Sequence, residues 1–365
     1  MIAKELVVIG GGPAGLCAAI AAAESGSRVL ILDRSARLGG QLIKQTHKFF
    51  GSENQYAKTR GFDIAKILLS RVDTFADLIE IWVEATVVAL YPDKVLTVVQ
   101  DGKYIKIQAK AIVVAAGASE KFLAFENNDL PGVYGAGAVQ TLMNVYGVKP
   151  ADRVLMVGSG NIGLIVSYQL MQAGVKVAAI VEAAPRIGGY KVHASKIARL
   201  GVPILTSTTV LRAVGETCVK QAVTVKLDPA WKPIPGTESV HDVDAICVAV
   251  GLTPLTSLLA MAGAMTSYIP ELGGYAPILT DEHESTLADV FVAGDAAGVE
   301  EASSAMVEGR LAGLCAAKRL GYPHADFDDI VSECHAQLAG LRNGPFGCKT
   351  CAGIAKMREV RDHAR

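Results

Sequence analysis

The chain has 365 residues, 51% of them hydrophobic and 19% charged, with 35 basic against 36 acidic side chains. A net charge of −1 excludes the basic footprint of a nucleic-acid binder and the like-charge blocks of a solvating tail. The length suggests two or three domains with proper cores. Gly supplies 37 residues, about one in ten against roughly 7% in an average protein, and is the compositional feature to locate.

Abundant small aliphatic residues and only 6% aromatics favour buried parallel strands alternating with Ala-rich helices. The first strand, Glu5–Ile9, enters the turn Gly10-Gly11-Gly12-Pro13-Ala14-Gly15. A helix follows from Gly15 to about Ser25, Gly26 stops it, and a second strand, Arg28–Leu32, ends at Asp33. The stretch Ile79–Lys110 predicts a β-meander, and Ala111–Ala116 is an apolar strand ending at Gly117. An interdomain crossing is expected at Glu126–Gly137. The opening plan then recurs about 148 residues on, with Asp152–Val157, the turn Gly158-Ser159-Gly160-Asn161-Ile162-Gly163, a helix to about Ala173, and Lys176–Val181 ending at Glu182. A second meander, Val202–Asp244, precedes the strand Ala245–Val250 before Gly251. A return crossing is expected near Pro270–Gly274, followed by Asp289–Ala293 before Gly294.

Two uncharged runs reach membrane-helix length, Leu6–Ala23 and Ala245–Pro270. Gly10 to Pro13 interrupt the first, and Gly251, Pro254 and Gly263 the second, so no spanning helix is expected. Seven scattered Cys form no disulfide framework, which points to a cytoplasmic setting, with membrane association only through partners.

In each copy the glycine turn lies between strand and helix, with an acid ending the next strand. The first Gly allows the tight turn, the second lets backbone approach a pyrophosphate, and the third lets helix and strand pack. The helix N-terminus faces the phosphates with exposed N–H groups. Asp33 and Glu182 are placed to accept hydrogen bonds from an adenosine ribose, and an acid there repels a 2′-phosphate, favouring NAD over NADP in the second copy.

The chain resembles the two-dinucleotide-domain flavoproteins of the thioredoxin reductase and disulfide reductase superfamily. More narrowly, it resembles the FAD/NAD-binding alpha-type subunits of sarcosine oxidase, opine oxidase, hydrogen cyanide synthase and dye-linked proline or hydroxyproline dehydrogenases. The carriers are Leu38-Gly39-Gly40-Gln41-Leu42, Ala116-Gly117-Ala118-Ser119-Glu120-Lys121, Leu130-Pro131-Gly132-Val133-Tyr134, Ala136-Gly137-Ala138-Val139-Gln140 and Gly188-Gly189-Tyr190. To these are added Ala293-Gly294-Asp295-Ala296-Ala297-Gly298 and Glu308-Gly309-Arg310-Leu311-Ala312-Gly313. The resemblance implies an α/β fold of two Rossmann-like domains, the second inserted in the first: 1–125 with 271–321 for FAD, 126–270 for a nucleotide, and a tail, 322–365. It implies FAD contacts at Gly10, Gly12, Pro13, Ala14, Gly15, Asp33, Arg34, Gly40, Gln41, Val87, Ala116, Gly117, Gly294, Asp295, Glu301 and Ala302. For NAD, or ATP or ADP held structurally, it implies Gly158, Gly160, Asn161, Ile162, Gly163, Glu182 and Gly251.

The family's dithiol relays need a Cys pair that this sequence lacks, since Gly40-Gln41-Leu42-Ile43 stands at the first place for one. Cys348-Lys349-Thr350-Cys351, with Cys334 fourteen residues earlier, has ligand-like spacing for zinc or part of an iron–sulfur cluster completed by a partner chain; a redox-active pair and ordinary surface or packing Cys are the competing readings. His47 follows the Gly40-Gln41 loop and is a candidate for the flavin or an electron-entry path, against an ordinary loop residue. Glu300 and Glu301 are lesser candidates, and His193 and His283 are expected to be chemically idle. The expected activity is that of an FAD-dependent oxidoreductase, working within a complex on CH–NH or CH–NH2 donors of small amines or amino acids. Its expected partners are a small iron–sulfur protein and an FAD-containing beta-type subunit. The alternatives are a stand-alone NADH:acceptor flavin oxidoreductase and a subunit whose second site holds ATP or ADP.

Overall fold

The computed structural model describes residues 1–49, 52–344 and 347–363. The chain divides into two units, 1–119 with 253–365, and 120–252.

In the first unit the alternation within Leu6-Val7-Val8-Ile9 sends Leu6 and Val8 to one buried face and Val7 and Ile9 to the other. A sheet covered on both faces needs such a continuous apolar run, and a parallel sheet follows. Ile79–Trp82, Val29–Leu32, Ile2–Ile9 and Lys103–Val114 lie side by side in parallel. The strand Ile79–Trp82, expected in the meander, instead extends this parallel sheet beside Val29–Leu32. The twelve-residue strand Lys103–Val114 shares its other edge. Its first half pairs antiparallel with Val95–Gln100, and its last three residues pair parallel with Val290–Val292. Thr86–Leu90 completes the seven strands.

One face is covered by the helices Pro13–Glu24, Gly61–Asp73, Ala302–Arg319 and Phe327–Leu341, the other by the meander, Ser257–Met261 and part of Gly347–His363. The residues beyond 321 are therefore integral to this unit: Phe327, Cys334 and Leu338 enter one core and Met357 the other.

The second unit repeats the plan. Its parallel sheet runs Ile204–Leu205, Lys176–Val181, Arg153–Val157, Ala245–Val248 and Val133–Gly135. An antiparallel meander, Thr208–Val214, Gln221–Lys226 and Ser239–Asp242, forms a separate sheet. Among the described residues no helix is long and apolar enough to cross a membrane.

The helices Pro13–Glu24 and Ala302–Arg319 meet with their backbones almost touching. Gly309 and Gly313, one turn apart, face the carbonyl oxygens of Ala14 and Ala18, which occupy the space a methyl group would need. Because both partners are main chain, nothing can rotate aside. Gly313→Val is expected to lower stability by about 2 kcal/mol or more, measured by urea unfolding of the purified protein; an unchanged midpoint would refute the close crossing.

Candidate nucleotide sites

The two glycine loops are built alike. Gly10 and Gly158 take φ values of +103° and +106°, open to glycine, and each backs onto a carbonyl oxygen of the adjacent strand end, Ala115 and Ala249. Gly15 and Gly163 lie over the carbonyls of Gly10 and Gly158. The helices Pro13–Glu24 and Asn161–Gln172 start from Gly12 and Gly160 without any side-chain cap. Their N-terminal ends are therefore bare and electropositive, as an anion site requires.

The acids hold the loops in shape. Asp33 Oδ2 accepts the Gly11 N–H at 2.7 Å and its Oδ1 the Ser35 N–H at 2.7 Å. Glu182 Oε1 accepts the Ala184 N–H at 2.9 Å, while its Oε2 accepts both the N–H (2.9 Å) and the hydroxyl (2.7 Å) of Ser159. Each carboxylate oxygen offers about two lone pairs. Asp33 thus keeps an acceptor position on both oxygens, and Glu182 on one.

A Gly-Gly turn then rests on each loop. The Gly39 N–H donates to Gly11 O at 2.8 Å, and a methyl group on Gly40 would lie 2.7 Å from Gly12 Cα. The Gly189 N–H donates to Ser159 O at 2.9 Å, and Asn161 Oδ1 accepts the Tyr190 N–H at 2.8 Å.

The strand end Gly294-Asp295 joins the first loop. A methyl group on Gly294 would meet Ala14 Cβ at 2.8 Å. Its N–H donates to buried Glu308 at 2.9 Å. Asp295 is half-buried, accepts the Glu300 N–H at 3.3 Å and forms no salt bridge among the described residues. Burial pushes its carboxyl up to about 6, against the opposing hydrogen bond from the Glu300 N–H. Ala116 and Gly117 lie just past the central strand Lys103–Val114, Val87 lies half-buried in the meander, and Glu301 immediately precedes the helix begun by Ala302. Arg34 and Gln41 are exposed, as are Ile162 and Gly251 in the second unit. His47 is half-buried and stacks on Phe49, ring centroids 5.8 Å apart.

The cysteines do not gather as a metal site. Cys348 and Cys351 are exposed near the start of Gly347–His363, whereas Cys334 is fully buried in the apolar core of the first unit. Among the described residues no group of three or more His, Cys, Asp and Glu is arranged to hold a metal. Leu338 shares the inward face of the helix Phe327–Leu341 with Cys334 and turns it into the core, apart from the exposed Cys348 and Cys351. Sequence reasoning also missed Ser159, signalled only by standing where the first copy has Gly11, and Arg342, which no motif marks.

A family model described as pyridine nucleotide-disulphide oxidoreductase matches residues 4–309. The chain belongs to that family. It is 30% identical over 334 residues to an opine oxidase subunit of Agrobacterium tumefaciens, spanning 86% of this chain and 65% of the relative. With the alpha subunit of sarcosine oxidase from a Corynebacterium species it shares 25% identity over 87% of this chain and 33% of the relative. The chain thus spans less than two thirds of either relative. Thioredoxin reductase of T. acidophilum has the same fold, with a TM-score of 0.72 at 21% identity, covering 87% of this chain and 99% of that one.

The family implies FAD, and the first loop fits it. A methyl group on Gly12 would meet nothing nearer than Gly40 Cα at 3.8 Å, so bare backbone stands open beside an uncapped helix end, with Asp33 holding spare acceptor positions.

Behind this site His283 binds the Val292 carbonyl through Nδ1 at 2.9 Å, with Nε2 4.0 Å from Glu308. Burial pushes it down to about 4 from 6.5. The unfolded chain therefore takes the proton first, so stability is intact above pH 6.5 and is lost as pH falls toward 4, by on the order of 3 kcal/mol. His283→Gln should flatten that part of the thermal-midpoint curve; parallel curves for the two proteins would refute the buried neutral imidazole.

Proposed function

We propose that this chain is the FAD-binding, electron-transferring subunit of an amine or amino-acid dehydrogenase or oxidase, of the opine, sarcosine, proline or hydroxyproline type. The observation that carries the reading is the first cradle, where open glycine backbone, an uncapped helix end, Asp33 and Asp295 occur in one unit. Gly10, Gly12, Pro13, Ala14 and Gly15 would receive the pyrophosphate, and Asp33, with Arg34 beside it, the adenosine end. Gly40, Gln41, Val87, Ala116, Gly117, Gly294, Asp295, Glu301 and Ala302 would line the remainder. When bound, FAD supplies the uptake and release of electron pairs.

The protein's own part is to bind, orient and shield. Asp33 keeps the loop shaped around two backbone N–H groups, and Asp295 offers an acceptor that burial makes sensitive to a hydroxyl partner. His47, on the loop after Gly40-Gln41, would stand on the electron path. In the second unit Gly158, Gly160, Asn161, Ile162, Gly163, Glu182 and Gly251 would hold NAD, or ATP or ADP.

The oxidase relatives above are by name subunits of larger enzymes, which supports partner chains: a beta-type flavin subunit that meets the amine, and a small iron–sulfur protein. Any metal cluster at Cys348 and Cys351 would draw its other ligands from such a partner. We place the assembly in the cytoplasm.

The intact second cradle favours one alternative, an NADH:acceptor flavin oxidoreductase acting alone. Purified protein should carry or take up FAD, and Asp33→Ala should weaken FAD binding about tenfold or more by leaving two loop N–H groups unpaired. Mixed with NADH alone, the flavin absorbance should persist, and it should bleach with an amine substrate only when partner subunits are present. Rapid stoichiometric bleaching by NADH would overturn the subunit reading in favour of the alternative, and mass analysis of nucleotide released on denaturation would identify the second ligand.

A further inference from the structure

A buried charge cluster lies directly behind the Gly294-Asp295 strand end, and its cation comes from outside the segment matched by the family. Glu308 and Gly309 are neighbours on the helix Ala302–Arg319. Gly309 rests on the Ala14 carbonyl of the phosphate loop, and one oxygen of Glu308 accepts the Gly294 N–H. The other oxygen of Glu308 receives Arg342 Nη2 at 2.6 Å. The same guanidinium reaches Glu300 through Nη2 at 2.7 Å and Nε at 3.0 Å. Glu300 in turn gives its backbone N–H to Asp295. The side chains of Glu300, Glu308 and Arg342 are 9%, 4% and 15% exposed.

Three carboxyl groups thus share one small volume; burial and the neighbouring Glu300 raise the Glu308 carboxyl, and Arg342 opposes them. Among the described residues Arg342 is the cation that meets two of them; His283, 4.0 Å from Glu308, is held neutral by burial. Removing one partner from a buried charged pair leaves an uncompensated charge, which costs far more than the pair contributes. The strain would fall on the Gly294 N–H contact and on the Glu300 N–H that positions Asp295.

We propose that Arg342 is a positioning residue of the flavin site: by joining Glu300 to Glu308 it fixes the turn that presents Asp295 and the phosphate loop beneath it. This rests on FAD occupying the first cradle. Arg342 acts on the loop and on Asp295 through the two glutamates. A lysine at 342 has no planar fork to engage both at once.

The test is FAD affinity, measured by quenching of flavin fluorescence on titration into flavin-depleted full-length protein, with circular dichroism as the folding control. Arg342→Gln should raise the FAD Kd about tenfold or more, and Arg342→Lys should fall between it and the wild type. The deciding variant is Arg342→Gln with Glu308→Gln. Removing one carboxylate charge, while keeping an amide oxygen for the Gly294 N–H, should restore most of the affinity. A purely space-filling role would not respond to that charge removal. Wild-type affinity in Arg342→Gln, or a loss that Glu308→Gln does not repair, would overturn the proposal while leaving the FAD reading intact. Should Arg342→Gln fail to fold, the folded Arg342→Lys protein decides, with wild-type affinity counting against the proposal. A wild-type protein without measurable FAD affinity would overturn both.

Discussion

At several points in this protein a carbonyl oxygen occupies the space where a side chain would begin. Ala115 and Gly10 do this to Gly10 and Gly15, Ala14 and Ala18 to Gly309 and Gly313, and Ala249 and Gly158 to Gly158 and Gly163. Main chain cannot swing aside as a lysine tip can, so these contacts set how closely strand, loop and helix approach. The close approach brings bare N–H groups to a helix end and leaves no side chain over them. The open glycine cradle is therefore a by-product of packing as much as a separate device.

Because the loop contacts at Gly10 and Gly15 recur at Gly158 and Gly163, the chain supplies its own control. The acids differ by one methylene group, Asp33 against Glu182, and the loops differ at Gly11 against Ser159. The longer acid reaches a hydroxyl as well as an N–H, and that hydroxyl takes an acceptor position that Asp33 leaves open. Two loops of one design thus leave different numbers of acceptor positions open.

The same contrast separates what a sequence displays from what it hides. The glycine loops, the acids at the strand ends and the two-copy plan are legible because backbone sterics dictate residue type over a short stretch. The strand Ile79–Trp82 is not, because a four-residue edge strand looks alike whether its neighbour is parallel or antiparallel. The tail is harder still. Cys334 has ligand spacing from Cys348, but helix periodicity turns it into the core with Leu338. Arg342 meets Glu300 and Glu308 across 42 and 34 residues, and pairing at that range leaves no periodic trace.

The placement of Arg342 bears on the order of synthesis. A ribosome produces the Gly10–Gly15 loop long before the helix that presses Gly309 onto it. Glu300 and Glu308 emerge with that helix and stay without their guanidinium until residue 342 follows. A nascent chain halted between those points would hold both carboxyl groups without the guanidinium that joins them. The loop around Gly10–Gly15 thus gains its last charged support only once residue 342 has been made.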